Sequence, residues 1–234
     1  MSAKPLVSVI IPARNEERYI ARALASVVRQ TWALAEIEVI VVDNGSSDAT
    51  AATVRAFMES EPRLCIRLLH EPVAGVARAK NRGARAATGF WLLFLDADSR
   101  LAPDLIERVV RRGQEKRQAA SIRIVADGQD LLDRAFFALL ELGPRWFGLR
   151  AQMFYCGREL FWRVGGFDET LLLAEDSDFL ARLRRNGVAV DHLLESWIAT
   201  SPRRMHRGPW RLGMLKMFAR WALANWGIGR RWRY

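Results

Sequence analysis

The chain has 234 residues, of which 50% are hydrophobic and 26% charged, so it fits a globular protein with a sizeable core and excludes a fibrous or disordered one. Its two cysteines, Cys65 and Cys156, match neither a disulfide framework nor a metal-ligand spacing, and reduced thiols are expected. Of the net charge of +10, +9 falls within residues 203–234, so the basicity belongs to the tail and not to the rest of the chain.

The beginning of the chain carries no apolar leader. Residues 1–5 run directly into a short apolar strand, without the apolar core and cleavage site of a signal peptide. No run reaches the roughly 18 apolar residues expected of a membrane-spanning helix. These features predict a cytoplasmic protein.

Strands and helices alternate through the first half of the chain. Apolar, β-branched runs predict strands at 7–11, 38–42, 65–69 and 91–95. Helical spacing and capping residues predict helices at 16–30, 48–61 and 76–87, and Pro103 opens another. Near-continuous apolar strands that alternate with helices predict an α/β fold with a sheet covered on both faces.

The second half is less regular. It predicts strands at 121–126 and 188–193, and helices at 130–142, 158–164 and 177–186. The sequence has no internal repeat and no low-complexity linker. We therefore expect one domain followed by a C-terminal helical extension.

Polar residues follow the ends of three predicted strands. They are Asn15 and Glu16, then Asp43, then Asp96 and Asp98. Ligands of open parallel sheets bind outside the carboxyl ends of the strands, so these groups are expected at one edge. Two carboxylates at positions i and i+2 suit Mg²⁺ or Mn²⁺, although a polar loop that caps the next helix explains them equally well. Asp43 is either a ligand for a ribose or base, or an Asx-turn residue.

A cluster of cations lies in the predicted helix at 76–87. Lys80 and its neighbouring arginines are placed to meet phosphates, but most helical lysines and arginines are solvated surface residues. The choice between these interpretations depends on the surrounding motifs.

Five blocks in this order resemble the family 2 glycosyltransferases, which have the glycosyltransferase A fold. They lie at 9–16, 41–48, 79–83, 94–98 and 165–169, the last followed by Glu175-Asp176. The chain differs from the usual family pattern at Arg14, Asn44 and Lys80, which stand where Tyr, Asp and Arg are frequent. At Arg100, some relatives have a further polar metal ligand, so the metal shell is expected to be thinner here.

The resemblance implies a single α/β domain of glycosyltransferase A type, with a mixed, mostly parallel sheet flanked by helices. The catalytic domain would span 1–207, with a nucleotide-sugar-binding half at 1–110 and an acceptor-side half at 111–207. The implied activity is inverting, metal-dependent transfer of a sugar from a nucleotide-diphosphate sugar to an acceptor hydroxyl. The cofactor would be Mn²⁺ or Mg²⁺, and a lipid-linked or cell-envelope glycan acceptor is one hypothesis.

The resemblance also implies roles for individual residues. Asp98 would be the direct metal ligand, Asp96 would reach the metal or the ribose, and Asp176 would be the general base, with a helix N-cap as its alternative. Asp43 would hold the nucleoside. The remaining implied substrate-binding residues are Pro12, Ala13, Asn15, Glu16, Lys80, Asn81, Ala97 and Glu175.

A second resemblance follows the last predicted strand. Residues 200–204 resemble a Thr-Ser-x-Arg-Arg segment of a bacterial subgroup of the family. Arg203 and Arg204 would clamp the diphosphate, because a guanidinium fork suits phosphate, unless they are solvated surface residues. His206 is a phosphate contact, a second metal ligand or an ordinary surface residue.

The tail at 208–234 is basic and rich in tryptophan. Trp210, Met214, Met217 and Trp221 follow a helical spacing with basic residues between them. Such a helix suits the interface of an anionic membrane, which would place the protein at the inner face of the cell membrane. The alternatives are packing on the catalytic domain and a dimer contact.

Other classes of function fit the sequence less well. A sugar-phosphate nucleotidyltransferase should carry a Gly-rich, Lys-bearing loop after the first strand, and the sequence at 12–16 lacks one. A module that binds nucleic acid would use the basic tail but would leave the acidic strand ends without a purpose, so no nucleic acid is expected. A non-catalytic glycosyltransferase fold is a further alternative.

Overall fold

The computed structural model describes residues 5–115, 118–147, 153–204 and 206, with the backbone alone for 140–147 and Arg204. The tail at 208–234 lies outside the described residues. The strands are β1 (Val7–Ala13), β2 (Ile37–Asp43), β3 (Cys65–His70), β4 (Trp91–Phe94), β5 (Ser99–Leu101), β6 (Ala119–Ala126), β7 (Phe154–Gly157) and β8 (Asp191–Thr200). The helices are α1 (Ile20–Val28), α2 (Thr50–Ser60), α3 (Val76–Ala86), α4 (Leu105–Gln114), α5 (Leu131–Phe147), α6 (Arg158–Arg163) and α7 (Glu175–Arg185).

The strands form one mixed sheet in the order β3-β2-β1-β4-β7-β6-β8-β5. The pairs among β3, β2, β1 and β4 are parallel, and so is the pair of β6 with β8. β7 runs antiparallel to both its neighbours, and β5 runs antiparallel to β8. The expected α/β fold with a mixed, mostly parallel sheet is confirmed.

Buried clusters cover both faces of the sheet. Successive residues of a strand point to opposite faces, so each strand contributes to both clusters. In β1, Val9 and Ile11 belong to one buried cluster, whereas Ile10 belongs to the other. α3 lies close to the second face at Gly83, where an added Cβ would come within 2.5 Å of Ile10. The absence of a side chain at this position lets the helix approach the strand.

Two short strands, β5 and β7, were not predicted from the sequence, and they have three and four residues. β4 also has four residues, but it lies within the continuous apolar run that predicts a strand at 91–95. β8 was predicted at 188–193 but runs from Asp191 to Thr200. Its pairing with β6 jumps from Leu193 to Trp197 and then continues to Thr200. This bulge interrupts the alternation that marks a strand.

α1 begins at Ile20, later than the predicted start at residue 16. The amide of Glu16 donates to Thr50 Oγ1 at 2.7 Å, and the amide of Glu17 donates to Asp48 at 3.2 Å. These bonds tie the residues before α1 to the start of α2. Across the part of the chain that the structure describes, no helix combines the length and apolarity that crossing a membrane requires.

Candidate functional site

The predicted polar groups meet at one edge of the sheet. β1, β2 and β4 are parallel, so their carboxyl ends lie side by side. Asp43 ends β2, residues 12–16 leave β1, and Asp96 and Asp98 follow β4. Ala97, which separates the two acids, is buried. The structure therefore places the three groups at the edge where ligands of such sheets bind.

Asp43 is a buried carboxylate with partners on both oxygens. Its Oδ1 accepts the amide of Ser46 at 3.1 Å, and its Oδ2 lies 3.5 Å from His70 Nδ1. Ala13 pairs with Asp43 and Pro12 pairs with Val42 in the register of β1 and β2. Asp43 thus closes a turn and at the same time faces the end of the neighbouring strand.

Asn15 holds the loop after β1 in its unusual shape. Its φ of 56° lies in the left-handed region, which Asn tolerates better than most residues. The backbone amide of Asn15 donates to Ser46 Oγ at 3.0 Å, and the side-chain Oδ1 of Asn15 accepts the backbone amide of Ser47 at 2.8 Å. The side chain of Asn15 therefore fixes the β1 loop against the β2 loop.

A buried cluster lies between α3 and the first turn of α7. Lys80 Nζ donates to Glu175 Oε1 at 2.8 Å and to both oxygens of Asp176 at 2.8 and 2.9 Å. The exposed fractions are 2% for Lys80, 7% for Glu175 and 4% for Asp176. The lysine predicted to meet phosphate thus contacts the predicted base and its neighbour.

The charges of this cluster are mutually dependent. Burial lowers the pKa of Lys80, but Asp176 and Glu175 outweigh it and hold that pKa above its ordinary value. Burial raises the pKa of Asp176; Lys80 lowers it and Glu175 raises it, and the net shift is upward. Asp96 also contributes to the pKa shifts of Lys80 and Asp176, which places this acid within electrostatic range of the cluster.

The start of α7 is built to present two carboxylates. Ala174 has a φ of 62° immediately before the helix, a conformation that is strained for a non-glycine residue. Glu175 and Asp176 occupy the first turn, where the helix dipole favours negative charge. The alternative of an N-cap role for Asp176 does not match its place inside the helix.

Asn81 anchors the segment that precedes α7. Its Nδ2 donates to the carbonyl of Phe167 at 2.9 Å and to Glu169 at 3.0 Å, and its Oδ1 accepts the amide of Phe167 at 3.0 Å. All these contacts are within the protein. Asn81 therefore positions the 165–169 block.

Asp98 contacts a cation from the far end of the chain. Nε and Nη2 of Arg203 lie 3.1 and 3.0 Å from its Oδ2, and Nη2 also binds Glu16. The guanidinium lies over the ring of Tyr19, 4.3 Å from its centroid. Tyr19 lies within the predicted helix at 16–30, and no sequence pattern indicates that it supports Arg203.

The carboxylates after β4 are the candidate ligands for a divalent cation. The carboxylate oxygens of Asp96 and Asp98 suit Mg²⁺ or Mn²⁺, and Asp98 Oδ2 already lies against positive charge from Arg203. Among the described residues, no group of three or more His, Cys, Asp or Glu side chains is arranged to hold a metal. Asp96 and Asp98 are the residues that would hold such a metal, and the rest of its ligands would come from outside this pair.

Carboxylates also contact Arg22, Arg100 and His206. Arg100 pairs with Asp127, and Arg22 reaches the same carboxylate at 2.8 Å. His206 Nε2 lies 2.9 Å from Asp133 on α5. The Arg204 side chain lies outside the described residues.

Comparison with known proteins adds to this geometry. The family model described as Glycosyl transferase family 2 matches residues 8–163. Validoxylamine A glucosyltransferase of Streptomyces hygroscopicus subsp. jinggangensis (strain 5008) is 31% identical to this chain in an alignment of length 238. The alignment covers 85% of this chain and 56% of that protein. The chain thus spans about half the length of this relative.

Solved structures share the fold. A mannosyltransferase, PcManGT from Pyrobaculum calidifontis in complex with GDP-Man and Mn²⁺, has a TM-score of 0.74 and 25% identity over 97% of this chain and 66% of its own. S. aureus TarS 1–349 in complex with UDP-GlcNAc has a TM-score of 0.68 and 20% identity, covering 93% of this chain and 66% of its own. With its sheet order, its acidic strand ends and a family match over more than half its length, the chain belongs to glycosyl transferase family 2.

Proposed function

We propose that the protein transfers a sugar from a nucleoside-diphosphate sugar to an acceptor hydroxyl, with inversion at the anomeric carbon and with a divalent metal. The observation that carries the proposal is the buried Lys80–Glu175–Asp176 cluster, which lies within electrostatic range of Asp96, the first of the two acids after β4. The two acids suit a metal that binds the departing diphosphate, and the cluster suits proton removal.

The donor's nucleoside would bind at the loops after β1 and β2. Asp43 accepts hydrogen bonds from a ribose or base in this role, beside His70 and the loop at 12–16. Asn15 would contribute by holding the shape of that loop. PcManGT and TarS were solved with GDP-Man and UDP-GlcNAc respectively, which supports a purine or pyrimidine nucleoside diphosphate at this place.

The diphosphate would bind near Asp96 and Asp98. A divalent metal held there would neutralise the charge that develops on the departing diphosphate. Arg203 and Arg204 would add guanidinium contacts to the phosphates. The Mn²⁺ bound by PcManGT supports Mn²⁺ or Mg²⁺ as the ion.

Asp176 would act as the general base. Its carboxylate accepts the proton of the acceptor hydroxyl while the hydroxyl oxygen bonds to the anomeric carbon and the bond from that carbon to the diphosphate breaks. Attack from the face opposite the diphosphate inverts the anomeric centre. The raised pKa of Asp176, which follows first from burial, makes its carboxylate a stronger base.

Donor binding can be tested by a thermal-shift panel of UDP-, GDP- and dTDP-sugars with Mn²⁺, Mg²⁺ or EDTA. We expect one nucleotide class to raise the melting temperature, more strongly with metal, and Asp98→Asn to remove the metal-dependent part. If no nucleotide stabilised the protein under any metal condition, glycosyl transfer would be abandoned in favour of a non-catalytic role.

The base assignment has its own test. Asp176→Asn keeps the shape of the side chain, so the donor should still stabilise the protein. The amide cannot accept the acceptor's proton, so transfer should be abolished. Full transfer activity in this variant would show that another group removes the proton.

The tail at 208–234 carries a separate proposal. Its basic, tryptophan-bearing sequence supports binding to an anionic membrane surface, which would suit a lipid-linked acceptor. Flotation of the full chain with anionic liposomes, compared with a chain truncated at 207, tests this. Equal recovery of the two proteins would remove the idea.

A further inference from the structure

The carboxylate of Asp98 is held by a cation of the protein itself. Arg203 binds it through two nitrogens, at 3.0 and 3.1 Å from the same oxygen. The side chain of Asp98 is only 4% exposed and that of Arg203 is 26% exposed. This contact is therefore a defined part of the site and not a loose surface pair.

Two separate parts of the chain build the place where the guanidinium lies. Glu16 and Tyr19 come from the segment between β1 and α1, and Asp98 follows β4. The ring of Tyr19 supports one face of the guanidinium, while the two carboxylates bind its edge. A planar guanidinium suits this combination of stacking and forked hydrogen bonding, and an ammonium does not.

A divalent ion and the guanidinium compete for Asp98. The guanidinium occupies Oδ2 of Asp98, so a divalent ion bound by the same carboxylate would lie close to it, and two like charges a few ångströms apart in a partly buried site repel each other strongly. Displacement of the guanidinium is favoured when another anion accepts its hydrogen bonds. The diphosphate of a nucleotide is such an anion, because phosphate oxygens accept a guanidinium fork.

We propose that Arg203 is a tethered counter-cation of Asp98, which keeps free divalent metal off the site and releases Asp98 when a metal-bound nucleoside diphosphate supplies the replacement anion. This inference rests on the proposed function, since it concerns the metal and donor of that site. It makes Arg203 a positioning residue that sets the order of binding: metal and diphosphate enter together.

Direct binding of Mn²⁺ tests the inference without any measurement of turnover. The full chain is titrated with Mn²⁺ and free ion is followed by electron paramagnetic resonance, alone and with UDP or GDP. We expect the wild-type protein to bind Mn²⁺ weakly alone and much more tightly with one nucleotide. Arg203→Gln should bind Mn²⁺ alone at least about tenfold more tightly, because hydrogen bonds to a charged group no longer have to be broken.

Matched variants separate this effect from a general change in charge. Arg22→Gln removes a positive charge that pairs with Asp127, and it should bind Mn²⁺ like the wild-type protein. Arg203→Lys keeps the charge but loses the fork, so an intermediate affinity is expected. Melting temperatures, measured on every variant, confirm that the proteins compared are folded.

The outcomes distinguish this inference from the proposed function. If Asp98→Asn abolished Mn²⁺ binding but the wild-type protein and Arg203→Gln bound free Mn²⁺ equally, the metal site would stand and the role of Arg203 would be refuted. If no protein bound Mn²⁺ with or without nucleotide, the metal dependence proposed above would fall, and this inference with it.

Discussion

Replacement of Lys80 by Met removes the charge at the centre of the buried cluster. The lysine makes three contacts of 2.8–2.9 Å to Glu175 and Asp176, and all three residues are less than 10% exposed. Removal of one partner from a buried ion pair costs about 3–5 kcal/mol, because the remaining charges lose their compensation. For a domain of this size, that corresponds to a melting temperature lower by roughly 6–20 °C.

The same variant changes the dependence on pH. Lys80 lowers the pKa of Glu175 and of Asp176, so its loss raises both. A base must be ionised to accept a proton, so the acid limb of kcat/KM should move to higher pH. Without Lys80, burial holds the pKa values of both carboxylates in the folded variant above their values of about 4 in the unfolded chain. The variant's loss of stability relative to the wild-type protein should therefore be small below that pH. It should grow as the pH rises through the raised values.

The measurements are urea unfolding and the pH profile of transfer. Arg82→Met is the matched control, since Arg82 lies on the same helix, is 45% exposed and is 3.9 Å from Glu71; its cost should be about 0–1 kcal/mol. Lys80→Arg keeps the charge and should retain most of the wild-type profile. An unshifted acid limb in Lys80→Met, with a stability loss no larger than that of the control, would refute the reasoning.

Three further changes test the fold around the site. Glu38→Gln should lower stability at pH 7 by about 1.5–3 kcal/mol: burial raises the pKa of Glu38, but hydrogen bonds from Ser8 and Thr88 bring it below its ordinary value. The difference from wild type should vanish as the pH falls below about 4, and equal losses at pH 7 and 3 in urea unfolding would contradict this. Gly83→Ala should cost about 1–3 kcal/mol by overpacking against β1, and a neutral melting temperature would show that α3 can shift. Ala174→Gly should raise stability by about 0.5–1 kcal/mol, because glycine adopts a φ of 62° without strain; a lower melting temperature would oppose that reason.

The first half of the chain was the more predictable part of the fold. Its strands are short apolar runs that end in polar residues, such as Asp43 after β2, and local sequence is sufficient to reveal them. The site edge followed directly, because parallel strands bring their carboxyl ends together. β5 and β7 were not found in this way: β5 includes the charged Arg100, and β7 is seen as a strand through its pairing with β4 and β6.

The partners of the charged residues were not predictable from local sequence. Lys80 was expected near phosphate, but it contacts Asp176, which is 96 positions away in the chain. Such a contact depends on how closely α3 and α7 pack against the sheet, which involves residues with no charge at all. Gly83, which allows α3 to approach β1, is one of them.

The contact between Asp98 and Arg203 depends on a strand register. Ser99 of β5 pairs with Thr200 of β8, and the amide of Ser201 donates to the carbonyl of Asp98 at 3.1 Å. A shift of this register by one residue would turn the side chains of β8 to the opposite face. Arg203 reaches Asp98 because a three-residue strand fixes the chain that follows it.

The two contact networks together explain why this site should need a divalent ion. In the described contacts, Lys80 binds the carboxylates of Glu175 and Asp176, and Arg203 binds those of Glu16 and Asp98, so two cations are shared by four carboxylates. An incoming diphosphate is itself negative, so it would meet an excess of negative charge and would have to draw a cation away from a carboxylate. A metal-bound diphosphate avoids this conflict, since it carries positive charge to Asp98 as its phosphates take over Arg203. The charge balance thus favours joint entry of metal and donor over separate binding of either.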